Sequence, residues 1–351
     1  MHGQAIIHYG QPLGPITLDE RPLGPTETLV RVTSCGVCHS DLHIQDGYFN
    51  MGADAAAVKM SEGLLPLIPG HEIEGVIEAL GQEVQSRNPD LKPGLRVAVY
   101  PWIGCQNCPA CSTGDQHLCE AGQSLGTVVH GGFADHVRVA IPEALIPCGD
   151  LAPGVGGLAM CSGLTALSAV RKLDRLAPSD AILLVGLGGV GLAALSIAKA
   201  LHDGPVIAAD VNPAARATAL ERGADAAVDP ADREAVKALR KQFSIGGAID
   251  FVGAPATLGF GIGAVRKGGQ VVVVGLFGGA LSLSIPLLPF KALTICGSYV
   301  GSLAEARELI GLIREGRLPA PIMAMRPLAE ANAALDQLRA GGHIGRTVLC
   351  P

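Results

Sequence analysis

Ala181-Ile182-Leu183-Leu184-Val185-Gly186-Leu187-Gly188-Gly189-Val190-Gly191 decides the fold. A short apolar run of strand type leads straight into a G-x-G-x-x-G turn, and an uncharged helical stretch follows. Asp210 lies 19 residues beyond Gly191, at the end of the next strand-like run. Glycines at these spacings let a backbone approach a pyrophosphate, which then sits on the N-terminus of the helix, while the later acid accepts hydrogen bonds from a ribose. A tight strand-to-helix turn with no ligand is the other reading. Residues 181–198 also form an 18-residue stretch without a charge, a length at which a membrane span has to be considered. Four spaced glycines and the strand at 206–210 explain the apolarity as strand, turn and helix instead.

Outward from this stretch, apolar strand-like runs recur at 181–186, 206–210, 225–228, 248–252, 271–275 and 293–297. Helical stretches such as 213–222 and 232–243 lie between most of them. Alternation of this kind predicts βαβ units and a doubly wound parallel sheet. The preceding 160 residues differ: short runs at 29–32, 73–80, 96–100 and 134–139 sit between Gly, Pro and Asn turn signals and predict a mostly β domain. After a helical stretch at 303–315, the β-like end at 346–350 resembles the first domain. The expected organisation is a catalytic domain over 1–160, a nucleotide-binding domain over 161–298 inserted in it, and a return segment over 299–351.

The chain of 351 residues is long enough for two domains at about 150 residues each. Hydrophobic residues at 48% and charged residues at 17% exclude intrinsic disorder. A net charge of −6 without any Lys/Arg-rich run argues against a nucleic-acid partner. The first 14 residues lack the basic and apolar regions of a secretory signal, so the expected compartment is the cytoplasm, with no membrane partner. Ten cysteines in such a chain are poorly explained by disulfides.

Four of those cysteines, Cys105, Cys108, Cys111 and Cys119, fall within fifteen residues. Four thiolates complete a tetrahedral zinc shell and leave no open position, so such a site is structural. A redox cluster or four unrelated thiols are the alternatives. Gly104, Asn107, Pro109 and Gly114 suit a tightly folded lobe over about 104–120. Cys38 in Gly36-Val37-Cys38-His39-Ser40-Asp41, His71-Glu72 after Pro69-Gly70, and Cys161 in Cys161-Ser162-Gly163-Leu164-Thr165 are each nondescript alone. Cys35, Cys148, Cys296 and Cys350 have no evident partners.

Together, in this order and with Gly345-Arg346-Thr347 near the end, these motifs resemble the zinc-containing alcohol dehydrogenases of the medium-chain dehydrogenase/reductase superfamily over essentially the whole chain. The resemblance implies a Rossmann domain inserted in a GroES-like catalytic domain. It implies one catalytic and one structural zinc per chain, with NAD as cofactor. Cys38, His71 and Cys161 would bind the catalytic zinc, an open three-ligand set. The implied activity is reversible oxidation of an alcohol by hydride transfer, with Ser40 touching the substrate oxygen and His43 releasing the proton to solvent. Asp41 would orient His71, and Glu72, close behind the metal, would serve as an alternative ligand. His39 and Arg346 match positions that contact the pyrophosphate. Thr165, Gly186, Gly188, Gly189, Val190, Gly191, Asp210, Val252, Val274, Gly275 and Leu276 match further cofactor positions. A carboxylate at Asp210 repels a 2′-phosphate, which favours NAD over NADP. Phe49, Trp102 and Leu276 match the substrate cleft, with ordinary core packing as the alternative for each.

The loop at 50–63 is longer than in many relatives, and with 276–279 and 297–301 it is similar to a tetrameric bacterial and archaeal subset. Tyr100-Pro101-Trp102-Ile103-Gly104-Cys105 and Leu283-Ser284-Ile285-Pro286 are similar to bacterial 6-hydroxyhexanoate dehydrogenases, which hints at an ω-hydroxy acid. A polyol dehydrogenase or NADPH-preferring aldehyde reductase of the superfamily is a second reading. A zinc-independent quinone reductase-like or redox-sensing protein is a different class, against which Cys38, His71 and Cys161 argue. The apolar run 281–290 before the strand at 293–297 predicts an edge covered by a two-fold mate, and so a homotetramer built from dimers, unless the run packs internally.

Overall fold

A computed structural model describes residues 1–52, 58–342 and 344–351. Part of the loop expected at 50–63, residues 53–57, lies outside the described residues. The chain forms two compact units: Met1–Tyr48, Lys59–Leu164 and Gly301–Pro351 make one, and Phe49–Val58 with Thr165–Val300 the other.

Two segments differ from the boundaries expected. Cys161, expected in the nucleotide-binding domain, belongs to the first unit. Residues 155–163 lie so close on the strand Glu72–Leu80 that a Cβ on Gly157 would come within 2.5 Å of the Glu72 carbonyl oxygen. Phe49–Val58, expected in the first domain, groups with the second unit. There a Cβ on Gly278 would lie 2.4 Å from the Asn50 carbonyl oxygen, so backbone meets backbone and only glycine fits.

The first unit is built on a seven-stranded sheet. Its order is Met323–Pro327, Arg346–Cys350, Thr28–Gly36, Glu72–Leu80, Arg96–Val99 and Leu145–Pro147, with His136–Val139 also pairing Thr28–Gly36. Alternation along Thr28–Gly36 sends Val30, Val32 and Ser34 inward. Register shifts between Leu29 and Val30 and between Val32 and Ser34 bring Gly36 opposite Glu72. Cys38 and His71 therefore emerge at the same end of neighbouring strands.

The second unit is a six-stranded sheet in the order Ala226–Val228, Val206–Ala209, Ala181–Val185, Ile245–Asp250, Gln270–Val273 and Thr294–Gly297, every pair parallel. Numbered along the chain, this is the order 3-2-1-4-5-6 of a dinucleotide-binding fold, reversing beside the first strand. Ala181–Val185 is wholly buried, as a strand covered on both faces must be. The uncharged stretch 181–198 is thus a strand and part of the helix Gly189–Leu201, and among the described residues no helix is long and apolar enough to cross a membrane.

The fourth strand departs from expectation. It runs over Ile245–Asp250 rather than 248–252. Gly246 and Gly247 look like turn residues in sequence, yet they are extended because their neighbours leave no room. A Cβ on Gly246 would meet the Asp180 carboxylate at 2.6 Å, and one on Gly247 would meet Leu173 at 2.8 Å.

Asp180 closes this end of the sheet. Its buried carboxylate pairs with Arg266 at 2.5 Å and accepts from the Ala177 N–H and the Ser244 hydroxyl. The Arg266 hydrogen bond is the main reason its pKa falls from 3.8 to about 2. A carboxylate lowered on folding stabilises above its unfolded pKa, and that contribution fades as pH drops from about 4 towards 2. With Arg266 34% exposed, solvent screening reduces it to about 1–2 kcal/mol. Asp180→Asn is expected to lower the melting temperature at pH 7 and to flatten its fall between about pH 4 and 2. Equal melting curves for variant and wild type at pH 7 would refute this.

Candidate metal centre and dinucleotide site

In the first unit, Cys38, His71 and Cys161 bring one ligand atom each to within 4.8 Å of one another, all buried. They come from three separate segments. Cys38 caps the helix His39–Asp46, His71 precedes the strand Glu72–Leu80, and Cys161 sits in a π-turn, Ala159–Gly163. One carboxylate ties two of the segments together. Asp41, fully buried, accepts the Cys38 N–H at 2.8 Å and the Gly70 N–H at 3.2 Å, and faces His71 Nδ1 at 3.3 Å.

The donor set fits a zinc ion. His71 Nε2 is buried without a hydrogen-bond partner, on the same small site as two sulfurs. Burial works against a charged imidazole, yet the Asp41 carboxylate outweighs it and holds His71 well above its ordinary pKa. Cys38, stabilised first by a hydrogen bond from Cys161, is held well below the usual thiol value. With both thiols deprotonated, two sulfurs and one imidazole supply three zinc donors and leave a fourth position open.

Around these ligands, Trp102 is buried with its ring centroid 5.5 Å from that of His71, and its indole N–H donates to the Met160 carbonyl at 3.1 Å. Its contacts brace the two ligand segments. Ser40 is half-buried with its hydroxyl 3.8 Å from Cys38 Sγ. His43 lies one turn further on the same helix, and partial burial keeps it below its ordinary pKa. His39 is exposed. Glu72 and Arg346, expected to act separately on metal and pyrophosphate, form one buried ion pair, with the other Glu72 oxygen accepting the Ser162 N–H at 3.1 Å.

The second cluster, also in the first unit, gathers Cys105, Cys108, Cys111 and Cys119 within the same 4.8 Å limit. The lobe closes because Gly104 lets the chain pass: a Cβ there would be 2.4 Å from Cys111 Sγ. The Cys105 N–H donates to Cys119 Sγ at 3.3 Å, and the Asn107 N–H helps to lower the Cys105 thiol to about 7. Four sulfurs with no room for another ligand fit a structural zinc.

In the second unit, the three motif glycines serve different needs. Gly186 turns at φ 89°; a Cβ on Gly191 would lie 1.9 Å from the Gly186 oxygen; Gly188, at the helix N-terminus, faces open space. Turn, strand–helix contact and ligand approach are the roles such glycines play. Gly189 and Val190 open the helix and are half-buried. Asp210 accepts the Leu187 N–H at 2.7 Å and the Asn212 N–H at 2.8 Å, fixing the acid beside the turn. Arg216, the nearby cation, is engaged by the carbonyls of Asp210 and Val211 and by Asp229.

Asp250 was not singled out from sequence. It is buried and accepts the N–H groups of Val252 and Gly253 and the Thr257 hydroxyl. Its own carbonyl accepts from Val274 and Gly275. The turns after two strands are thereby locked so closely that a Cβ on Gly275 would be 2.0 Å from the Val252 carbonyl carbon. The signal available was an acid ending a strand, followed by Gly253 and Thr257. Thr165 is buried, Phe49 half-buried and Leu276 48% exposed, all in this unit.

Comparison with known proteins identifies the family. The family model described as "Alcohol dehydrogenase GroES-like domain" matches residues 24–150, and that described as "Zinc-binding dehydrogenase" matches 189–315. The NAD-dependent alcohol dehydrogenase of Sulfurisphaera tokodaii is 32% identical, with all of both chains covered. The L-galactonate-5-dehydrogenase of Escherichia coli is 33% identical over 86% of this chain and 84% of its own. The crystal structure of the alcohol dehydrogenase of Aeropyrum pernix superposes with a TM-score of 0.88 at 30% identity, with all of both chains covered. The chain belongs to the zinc-binding alcohol dehydrogenases of the medium-chain dehydrogenase/reductase superfamily.

Proposed function

We propose that the protein reversibly oxidises an alcohol to an aldehyde or ketone with NAD as hydride acceptor. One observation carries the reading: a buried, open Cys38–His71–Cys161 cluster and a closed four-cysteine lobe occur in a single chain. When bound, zinc supplies Lewis acidity towards the alcohol oxygen, and NAD supplies the site that takes the hydride. The chain's own residues bind, orient and move the proton. Asp41 fixes the imidazole of His71 so that Nε2 points at the sulfurs. Ser40, beside Cys38, accepts the alcohol proton as it passes its own on towards His43. His43, one helical turn away and with its pKa lowered by partial burial, passes the proton outward. Arg346 is held by Glu72 in a buried ion pair, and Trp102, beside the His71 ring, limits the bulk of the alcohol.

NAD rather than NADP is supported by Asp210, a carboxylate fixed beside the glycine turn, and by Arg216, whose guanidinium is already engaged. The cytoplasm suits ten free cysteines, seven of which are read as ligands. Among substrates, two readings stay distinct. The run 100–105 favours an ω-hydroxy acid, whereas the likeness to an L-galactonate-5-dehydrogenase favours a polyhydroxy acid. A panel of primary, secondary, aromatic, ω-hydroxy-acid and sugar-acid alcohols assayed with NAD tests both. No NAD reduction with any of them would overturn the proposed activity.

Metal analysis of variants checks the two clusters. Cys38→Ser or His71→Ala is expected to abolish turnover and leave a folded protein with one zinc per chain. Cys108→Ser is expected to lower both zinc content and melting temperature, since a closed thiolate site contributes folding energy directly. An unchanged melting temperature in Cys108→Ser would contradict the structural role.

Asp210→Gly removes a carboxylate that accepts from ribose and repels a 2′-phosphate. The NAD-over-NADP ratio of kcat/KM is expected to fall about tenfold to a hundredfold, the worth of a lost charge-assisted hydrogen bond. A wild-type enzyme that already prefers NADP would exclude the assignment.

The assembly we propose is a homotetramer of dimers. The strand Thr294–Gly297 lies at the sheet edge, and Phe277, Ile285 and Phe290 near it are 72%, 78% and 77% exposed. An apolar face beside an open edge calls for a covering partner, and two-fold closure supplies one. Light scattering in dilute buffer is expected to give four chains per particle, with two as the fallback; a monomer mass at micromolar concentration would refute the assembly.

A further inference from the structure

The strand Glu72–Leu80 places Glu72 and Glu74 on one face, and both are buried, 0% and 1% exposed. Glu72 is accounted for by Arg346. Glu74 belongs to none of the motifs read from the sequence, and a buried carboxylate is costly unless it is fully partnered. Its partners are specific. One oxygen faces Arg96 Nε at 3.0 Å, and the other accepts the Gly156 N–H at 2.9 Å. Arg96 in turn donates to the Leu151 carbonyl at 2.5 Å and the Gly149 carbonyl at 3.3 Å. The pair therefore grips residues 149–156, the approach to the helical segment that carries Cys161.

That segment is irregular. An α-turn over Val155–Leu158 changes to a π-turn over Ala159–Gly163 and back to α-helix over Leu164–Arg171, with Cys161 in the middle of the π-turn. A π-turn aims its central side chain differently from an α-turn and persists only where its surroundings hold it. Here two carboxylates of one strand hold it, one ahead of the turn and one within it. Glu74 takes the Gly156 N–H before the turn, and Glu72 takes the Ser162 N–H just after Cys161. Side chains are excluded between strand and segment: a Cβ on Gly156 would lie 2.9 Å from Glu74 Oε2.

We propose that Glu74, oriented by Arg96, is a positioning residue for the metal ligand Cys161. The inference rests on the reading of Cys38, His71 and Cys161 as a zinc site. Zinc release from the holoenzyme to a chromogenic chelator tests it, with Cys38→Ser identifying the phase that belongs to this site and the other phase reporting the four-cysteine lobe. In Glu74→Gln, release from the Cys38 site is expected to quicken about tenfold to a hundredfold, as when a ligand's outer support is removed. The lobe phase should be unchanged, and kcat should fall while KM holds. Release from that site and kcat both equal to wild type, whatever the melting temperature does, would overturn the proposal. If Glu74→Gln does not fold, Arg96→Lys, which keeps the charge but not the fork reaching Glu74 and Leu151, is read by the same two outcomes. A Cys38→Ser enzyme that keeps both release phases would instead overturn the zinc-site reading, and the proposal with it.

Discussion

The metal centre depends on one buried carboxylate. Asp41 holds the Cys38 N–H and the Gly70 N–H and faces His71 Nδ1, so a single fully buried side chain fixes the backbone of two ligand segments and the ring orientation of His71. An unpaired charge at that depth would be prohibitive. Its partners are therefore not optional, and the positions of Cys38 and His71 follow from satisfying it. The register shift that sets Gly36 opposite Glu72 brings the two strands' ends together, and Asp41 converts that proximity into a fixed geometry.

The nucleotide-binding unit is organised by contact between backbones rather than by charge. Gly191 against Gly186 and Gly275 against Val252 approach so closely that any side chain would displace a strand or helix. Asp250 completes this by tying the turns after two adjacent strands to each other. The helix Gly189–Leu201 opens at the glycine turn, and Gly188 leaves open space in front of its N-terminus. A preorganised anion site follows from tight packing behind and absence of a side chain in front.

Much of this was legible in the sequence, and the reason differs from feature to feature. The glycine turn and Asp210 could be read because their chemistry is local and their spacing is set by one βαβ unit. The four-cysteine lobe could be read because its ligands are close in sequence. Cys38, His71 and Cys161 could be joined only through resemblance, since nothing in their spacing says that three distant segments converge. The strand at Ile245–Asp250 was displaced in the reading because Gly246 and Gly247 look like a turn until Asp180 and Leu173 are seen to fill the space around them. Asp250 and Glu74 were invisible for a related reason: a carboxylate's burial is a tertiary fact, and before folding it looks like any surface acid.

The contrast between the two clusters has a physical basis. Ligands close in sequence can fold around an ion with little help from the rest of the protein, and nothing then stops the fourth thiolate from closing the shell. Ligands from three distant segments meet only if the fold brings them together, and the fold then decides how many arrive. Here Thr28–Gly36 delivers Cys38, the turn before Glu72–Leu80 delivers His71, and the π-turn Ala159–Gly163 delivers Cys161. Each segment is anchored behind its ligand by a buried carboxylate, Asp41 for the first two and Glu72 with Glu74 for the third. Glu72, the acid next to His71, is engaged by Arg346 and the Ser162 N–H. In the proposed site the fourth position is left open because the buried acids beside the three ligands, Asp41 and Glu72, are already engaged, and that is the condition for a substrate oxygen to enter.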